Sequence, residues 1–253
     1  MEKKKSLGQH FLNSPHYLSL IADTAQIVPG EYVLEIGPGE GALTQELLAR
    51  GARVVAVEKD HRLMPILAEK FGRQIEEGRL SLIEGDVLEK NIEIMEPYKL
   101  VANIPYYVTG AILEKFLSHE HVPTSAVLLV QKEVAERIAR EKKESILSLS
   151  VKAYGNPTYI KTVPAGAFSP PPQVDSAILS IQHISRSNFA DAEQEKKFFD
   201  LLHAGFAHKR KLLVRNLETV LGDKAAGALA GAGIAANARA EDVPLEGWLT
   251  LSR

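Results

Sequence analysis

The stretch EIGPGEGALT, residues 35–44, decides the fold. It follows an apolar run at 32–37 (YVLEIG) and opens a helical pattern at 42–50. Its glycines at 37, 39 and 41 permit a tight turn and let a ligand come close to the backbone. Strand, glycine turn and helix together form the opening unit of a doubly wound sheet. Working outward, the runs at 53–59 (RVVAVEK), 80–84 (LSLIE), 99–104 (KLVANI) and 125–131 (SAVLLVQ) read as further strands. They are nearly continuous and rich in Val, Ile and Leu, as strands covered by helices on both faces are. Helical patterns at 62–71 and 110–117 alternate with them. Two later strands are expected at 158–163 and 176–183, and the alternation of apolar and polar positions in the second fits an antiparallel or edge strand. Residues 185–191 are polar, lack periodicity and read as a linker. Residues 193–221 read as helical, 222–240 are rich in Ala and Gly, and 243–251 read as a last short helix. The predicted fold is α/β: a Rossmann-like domain over 1–185, followed by a small all-helical domain over 186–253.

Composition bounds the function. At 253 residues the chain suits one large α/β domain with a small appendage, and 45% hydrophobic with 25% charged residues excludes a disordered chain. The absence of Cys excludes a disulfide scaffold, thiolate metal sites and thiol catalysis, and is compatible with a reducing cytoplasm. No apolar run approaches the roughly 18 residues of a membrane span. The N-terminal MEKKKSLGQHFL is charged with no long apolar segment behind it, so no secretory signal is expected. With 30 Lys and Arg against 32 Asp and Glu, the net charge of −2 excludes a uniformly basic nucleic-acid binder but leaves room for a local basic face.

The glycine spacing is G-x-G-x-G, not the G-x-G-x-x-G of dinucleotide binders. Glu58 ends the second strand, where an acid can accept two ribose hydroxyls, and Asp86, in GDVL, ends the third, where a carboxylate can accept from an adenine amino group. Taken singly, each has a bland alternative: a common turn, or a solvated strand end. Together, at the ends of successive strands, they fit a ligand with adenine and ribose but no pyrophosphate. S-adenosylmethionine is that ligand. Glu35 and Glu40 flank the glycines and suit a sulfonium or ammonium better than a phosphate.

The strand ending at residue 104 runs into ANIPYYVTGAIL. Asn103, Ile104, Pro105 and Tyr106 resemble the (N/D)-P-P-(Y/F) motif of methyltransferases that modify exocyclic amino groups. The adenine N6 lone pair is delocalised into the ring, so that nitrogen is a poor nucleophile. The Asn103 side-chain oxygen and the Ile104 main-chain carbonyl can accept its two N–H bonds and aim its lone pair. Pro105 stiffens the turn, and Tyr106 offers a π face for the base. Alignment and desolvation then supply the rate, without a strong general base.

Read in order, GQHFL (8–12), EIGPGEGALT, Glu58, GDVL (85–88), NIPYY (103–107), FSPPPQVDSAIL (168–179) and FAHKRKLLVRNL (206–217) resemble the KsgA/RsmA family nearly end to end. These are bacterial small-subunit (16S) rRNA adenine-N6,N6-dimethyltransferases. The resemblance implies that Gln9, His10 and Leu12 lie over the methionine end of S-adenosylmethionine, with Gly37 and Gly39 lining it. It implies that Glu58 holds the ribose and that Asp86 and Val87 sit at the cofactor adenine. Asn103, Ile104 and Tyr106 would hold the target base, Phe168 would cover its other face, and Pro170, Pro171 and Pro172 would form a rigid wall. The implied substrate is a pair of neighbouring adenines in the 3′-terminal hairpin of 16S rRNA, within an immature small subunit whose assembly the enzyme also checks. His10 departs from a common Asn, and Ile104 from Leu or Pro, although the latter change keeps the carbonyl. NIPY also occurs in the 23S rRNA methyltransferases of macrolide resistance. FSPPPQVDSAIL and the C-terminal element favour the small-subunit branch.

RNA phosphates are expected at Lys209, Arg210, Lys211 and Arg215, read as a helical run with no acid between His208 and Asn216, and at Arg137 and Arg140 beside Lys142 and Lys143. Lys3–Lys5 form a third basic cluster. The alternative for each is a solvated face. A metal site at His119 and His121 is not expected, for want of further ligands. A cytoplasmic monomer is expected. Competing functions are the large-subunit reaction, an assembly factor with dispensable catalysis, and a small-molecule amine methyltransferase. The basic C-terminal element disfavours the last.

Overall fold

The structure, a computed structural model, describes residues 10–118 and 121–253. It divides into two compact units. One comprises the chain through Ala135 together with Asn156–Ile184, and the other comprises Glu136–Gly155 and Ser185–Arg253.

The first unit begins with β1 (Phe11–Leu12) and α1 (Pro15–Thr24). Then follow β2 (Tyr32–Ile36), α2 (Ala42–Ala49), β3 (Arg53–Glu58), α3 (Met64–Lys70), α4 (Gly72–Glu76) and β4 (Leu80–Glu84). β5 (Tyr98–Asn103), α5 (Thr109–Leu117) and β6 (Ser125–Gln131) complete the parallel strands. α6 (Lys132–Ala139), at whose Ala135 this part of the unit ends, and α7 (Ile146–Tyr154) precede β7 (Asn156–Val163), β8 (Phe168–Ser169) and β9 (Ser176–Gln182). The main sheet has the order β4-β3-β2-β5-β6-β9-β7, while β1 and β8 form a separate antiparallel pair. β2 pairs with β3 on one side and β5 on the other, both parallel. The winding therefore reverses at β2, and a crevice opens beyond the carboxyl ends of β2 and β5. The apolar runs bury both faces of the central strands: Val33, Leu34, Val101, Ala102, Leu128 and Leu129 are all at most 1% exposed. Register then delivers the strand ends to one rim, with Ile36 opposite Val57 and Ala102, and Glu58 opposite Glu84.

Of the two expectations for β9, antiparallel or edge, the first holds. The strand lies inside the sheet between β6 and β7, and β7 forms the edge. Its apparent alternation comes from Ser176 and Ser180, which are small enough to be buried along with Ala177, Ile178, Leu179 and Ile181.

The second unit also corrects the domain division. Residues 136–155 were expected in the Rossmann-like domain, yet they group with the helical part. Hydrogen bonds invisible in a linear reading hold them there. Ser185 N–H donates to the Tyr154 carbonyl (2.9 Å), the Asn188 amide to the Ala153 carbonyl (2.8 Å), and Glu144 N–H to the Glu241 carbonyl (2.8 Å). Nor is 185–191 a free linker, since Phe189 is buried and meets Tyr154 and Phe198 edge to face. The expected helix over 193–221 is two helices, α8 (Ala192–Gly205) and α9 (Leu213–Leu221), followed by α10 (Ala225–Gly231) and α11 (Leu245–Leu251). The break has a packing cause. Gly205 abuts the ring of Trp248, where a Cβ would collide, and the buried Asn216 amide donates to the carbonyls of Gly205 (2.5 Å) and His208 (3.2 Å). That bond set holds a turn in which Lys209, Arg210 and Lys211 lie, so these cations are on a loop and not on a helix. Among the described residues, no helix is long and apolar enough to cross a membrane.

Candidate active site

The crevice of the first unit gathers most of the predicted residues. It is lined by His10, Leu12, Gly37, Gly39, Glu58, Asp86, Val87, Asn103, Ile104, Pro105, Tyr106 and Phe168, among others. Gln9 and His119 lie outside the described residues, as do Lys3–Lys5.

The turn after β2 explains the glycines. Gly37 and Gly39 take φ of +71° and +60°, in the left-handed region that favours glycine. A Cβ on Gly37 would stand 3.3 Å from the Asn103 carbonyl, and one on Gly39 would meet the Phe11 ring at 2.8 Å. The Gly39 N–H donates to Glu58 Oε2 (3.0 Å), and the Asp60 N–H donates to Glu58 Oε1 (2.8 Å). Burial pushes the Glu58 carboxyl up, and these two amides oppose it. Each oxygen keeps acceptor capacity toward the cavity, because a carboxylate has about four acceptor sites.

Asp86 is held differently. The Lys59 ammonium donates to its Oδ2 (2.7 Å) and Leu88 N–H to its Oδ1 (2.9 Å). The Lys59 hydrogen bond chiefly holds its carboxyl below the ordinary range. Lys115 on α5 secures the same loop, donating to the carbonyls of Val87 (2.8 Å), Leu88 (3.1 Å) and Lys90 (2.6 Å).

On the opposite wall, Asn103 ends β5 and faces the cavity. Among the described residues its side chain has no hydrogen-bond partner, and no donor engages the Ile104 carbonyl. Two acceptors thus remain for a ligand. The Tyr106 hydroxyl lies 2.7 Å from Ser176 Oγ, which fixes the ring, and burial raises its pKa. Phe168 is buried where β8 pairs with β1, with Leu12 opposite it. The His10 imidazole donates from Nδ1 to the Pro170 carbonyl (2.8 Å). His10 therefore clasps the segment after Phe168 as well as lining the cavity. Pro170, Pro171 and Pro172 do not line it, because the β1–β8 pairing carries the chain past the rim before they begin.

Glu35 is the site residue that the structure places elsewhere. It is 1% exposed and does not line the cavity, whereas its partner in the expectation, Glu40, is exposed and does. Side chains alternate along β2, so Glu35 turns toward Thr44 of α2. Burial pushes its carboxyl up to about 8, against the influence of Thr44.

The lining carries the carboxylates of Glu40, Glu58, Asp60 and Asp86 against one ammonium, Lys59, which is already paired. Such a wall repels a diphosphate and suits a ligand with cationic sulfur or nitrogen and hydroxyl donors. This fits S-adenosylmethionine, and Glu58, Asp86, Val87, Gly37 and Gly39 are among the residues lining the cavity that would take it. Lys59, Lys115 and Ser176 escaped the sequence reading. Their partners are distant carboxylate, carbonyl or hydroxyl oxygens that leave no local pattern. Among the described residues, no group of three or more His, Asp or Glu side chains could hold a metal.

The predicted cations divide. Lys209, Arg210 and Lys211 are exposed and, among the described residues, without acidic partners. Arg215 is paired with Glu218 (2.8 Å), and Lys143 with Glu241. Arg140 is exposed and Arg137 half-buried.

The chain is similar to known proteins over nearly its whole length. The family model described as ribosomal RNA adenine dimethylase matches residues 1–253. The chain is 44% identical over 259 residues to ribosomal RNA small subunit methyltransferase A of Dehalococcoides mccartyi, covering 99% of this chain and 88% of that relative. It is 38% identical over 256 residues to the protein of the same name in Fusobacterium nucleatum, covering 98% and 96%. Among solved structures, 23S rRNA methyltransferase ErmE is similar at a TM-score of 0.79 and 28% identity, covering 96% of this chain and 98% of that one. A dimethyladenosine transferase from Plasmodium falciparum has a TM-score of 0.79 and 26% identity, covering 96% of each.

Two expectations follow from the site. Glu35 keeps its proton in the fold to about 8 against an ordinary 4.5, so its contribution to stability is present below 4.5 and lost as pH rises through 8. Glu35→Gln therefore raises the thermal midpoint relative to the parent at pH 9 and leaves it nearly level at pH 5. Lys115→Met loosens the loop that carries Asp86 and Val87. It weakens S-adenosylmethionine binding in calorimetry by about tenfold, and turnover recovers at saturating cofactor.

Proposed function

The chain belongs to the ribosomal RNA adenine dimethylase family, and on that premise we propose that it dimethylates N6 of two adjacent adenines in the 3′-terminal hairpin of 16S rRNA, using S-adenosylmethionine. One observation carries the reading. Asn103 and Ile104, whose side-chain oxygen and carbonyl have no partner among the described residues, line the same cavity as Glu58 and Asp86.

S-adenosylmethionine, when bound, supplies an electrophilic methyl group. The chain's own residues do the rest. Asn103 Oδ1 and the Ile104 carbonyl accept the two N–H bonds of the target amine, turning its lone pair out of conjugation with the ring. Pro105, with φ of −56°, holds the turn. The Tyr106 ring, fixed through Ser176, and Phe168 offer apolar surfaces for the base. The amine becomes acidic only as the nitrogen–carbon bond forms, so its proton passes to water afterwards and no buried base is required. The base must leave its stack to reach this depth.

The names of the relatives support the small subunit as substrate. Lys209, Arg210 and Lys211 are free to meet phosphates, with Arg140 a further exposed cation and Arg137 and Arg215 in supporting positions. The immature subunit is the substrate that the family resemblance implies.

The test uses labelled cofactor with separated small and large subunits lacking the modification, followed by mapping. The expected label is on two neighbouring adenines of the small subunit. Label on the large subunit alone would reassign the substrate, and none on either would leave a binding factor. Asn103→Ala is expected to lower methyl transfer about a hundredfold or more while cofactor affinity is nearly kept.

A further inference from the structure

Tyr107 follows Tyr106 in the one-turn 3₁₀ segment Tyr106–Val108 and lines the same cavity, yet it is 72% exposed. Among the described residues the other exposed large apolar side chains are Val28, Ile66, Met95, Val174, Leu212 and Val220, of which only Met95 is as exposed. None of them lines the crevice, and none is aromatic. A scattered exposed Leu or Val needs no explanation, but an exposed ring at the mouth of a catalytic cavity does. Among the described residues the Tyr107 hydroxyl has no hydrogen-bond partner, in contrast to that of Tyr106.

Its base is nevertheless rigid. Pro105 fixes the turn before it, Val108 N–H donates to the Pro105 carbonyl (3.2 Å), and α5 begins at Thr109. A two-torsion aromatic side chain on such a base loses little freedom on contact, so burying its faces yields a net gain. The need for such a face arises from the reaction itself. When the target adenine leaves its stack, its neighbour loses one stacking partner. Tyr107 stands beside the residues that receive the adenine, on the solvent side of the same turn.

We propose that Tyr107 is a specificity-determining residue whose ring stacks on the nucleotide adjoining the target adenine, which in a two-adenine substrate is the other acceptor. The inference rests on the adenine-N6 reading of the site. It adds an exposed platform for the neighbour to the buried seat for the target.

Steady-state methylation of small subunits by the parent, Tyr107→Ala and Tyr107→Phe tests it, with cofactor affinity measured by calorimetry. Base–aromatic stacking contributes about five- to a hundredfold in binding. Tyr107→Ala is therefore expected to raise KM for the subunit about fivefold or more, well beyond any loss in kcat, with cofactor affinity unchanged. Tyr107→Phe restores the parent KM, because the face and not the hydroxyl makes the contact. An unchanged KM in Tyr107→Ala overturns the proposal. So does a weakened cofactor affinity, which would assign the ring to the cofactor, or a Tyr107→Phe variant as impaired as Tyr107→Ala. Failure of the parent to methylate either subunit would instead sink the adenine-N6 reading, and this inference with it.

Discussion

Three strand ends are tied together through Glu58. Its carboxylate accepts from Gly39 N–H in the turn after β2 and from Asp60 N–H beyond its own strand, and its main-chain carbonyl accepts from Gly85 N–H after β4. A buried acid is costly unless hydrogen-bonded, so the amides that satisfy it also dictate where the glycine turn lies. The positive φ values of Gly37 and Gly39 follow from that demand. With the turn fixed there, Gly37 sits against the Asn103 carbonyl, and the acids line one crevice together with Asn103 and Ile104.

Around this anchor the supporting bonds fall into two sets. Lys59 and Lys115 hold Asp86 and the loop behind it, while Ser176, brought in by the antiparallel strand β9, holds Tyr106. The second set comes from a strand late in the chain that the ladders to β6 and β7 hold in the middle of the sheet, and its first residue reaches Tyr106. The β1–β8 pair completes the rim by placing Leu12 opposite Phe168. Preorganisation of this kind gains rate by holding reacting groups in line before the reaction starts.

The parallel strands were legible because each is an uninterrupted apolar run with a helix pattern after it. Asn103, Glu58 and Asp86 were legible because strand ends at a switch point are where ligands bind. What stayed hidden depended on distant packing. Buried serines made β9 look half-exposed. Phe189 lay in a segment polar enough to resemble a linker. The break between α8 and α9 arises from Trp248 and Asn216, and no helix-breaking residue marks it at Lys209–Lys211. Glu35 was misassigned because its place beside the glycines outweighed the simple alternation that turns it toward α2.

The claim that Glu58 anchors both the turn and the ligand is tested most directly by titrating S-adenosylmethionine into Glu58→Gln in a calorimeter. The replacement keeps the shape but sets an amide N–H₂ against a backbone N–H and removes the charge that hydroxyl donors would meet. The account predicts an affinity lower by about ten- to a hundredfold. An affinity equal to that of the parent would contradict it.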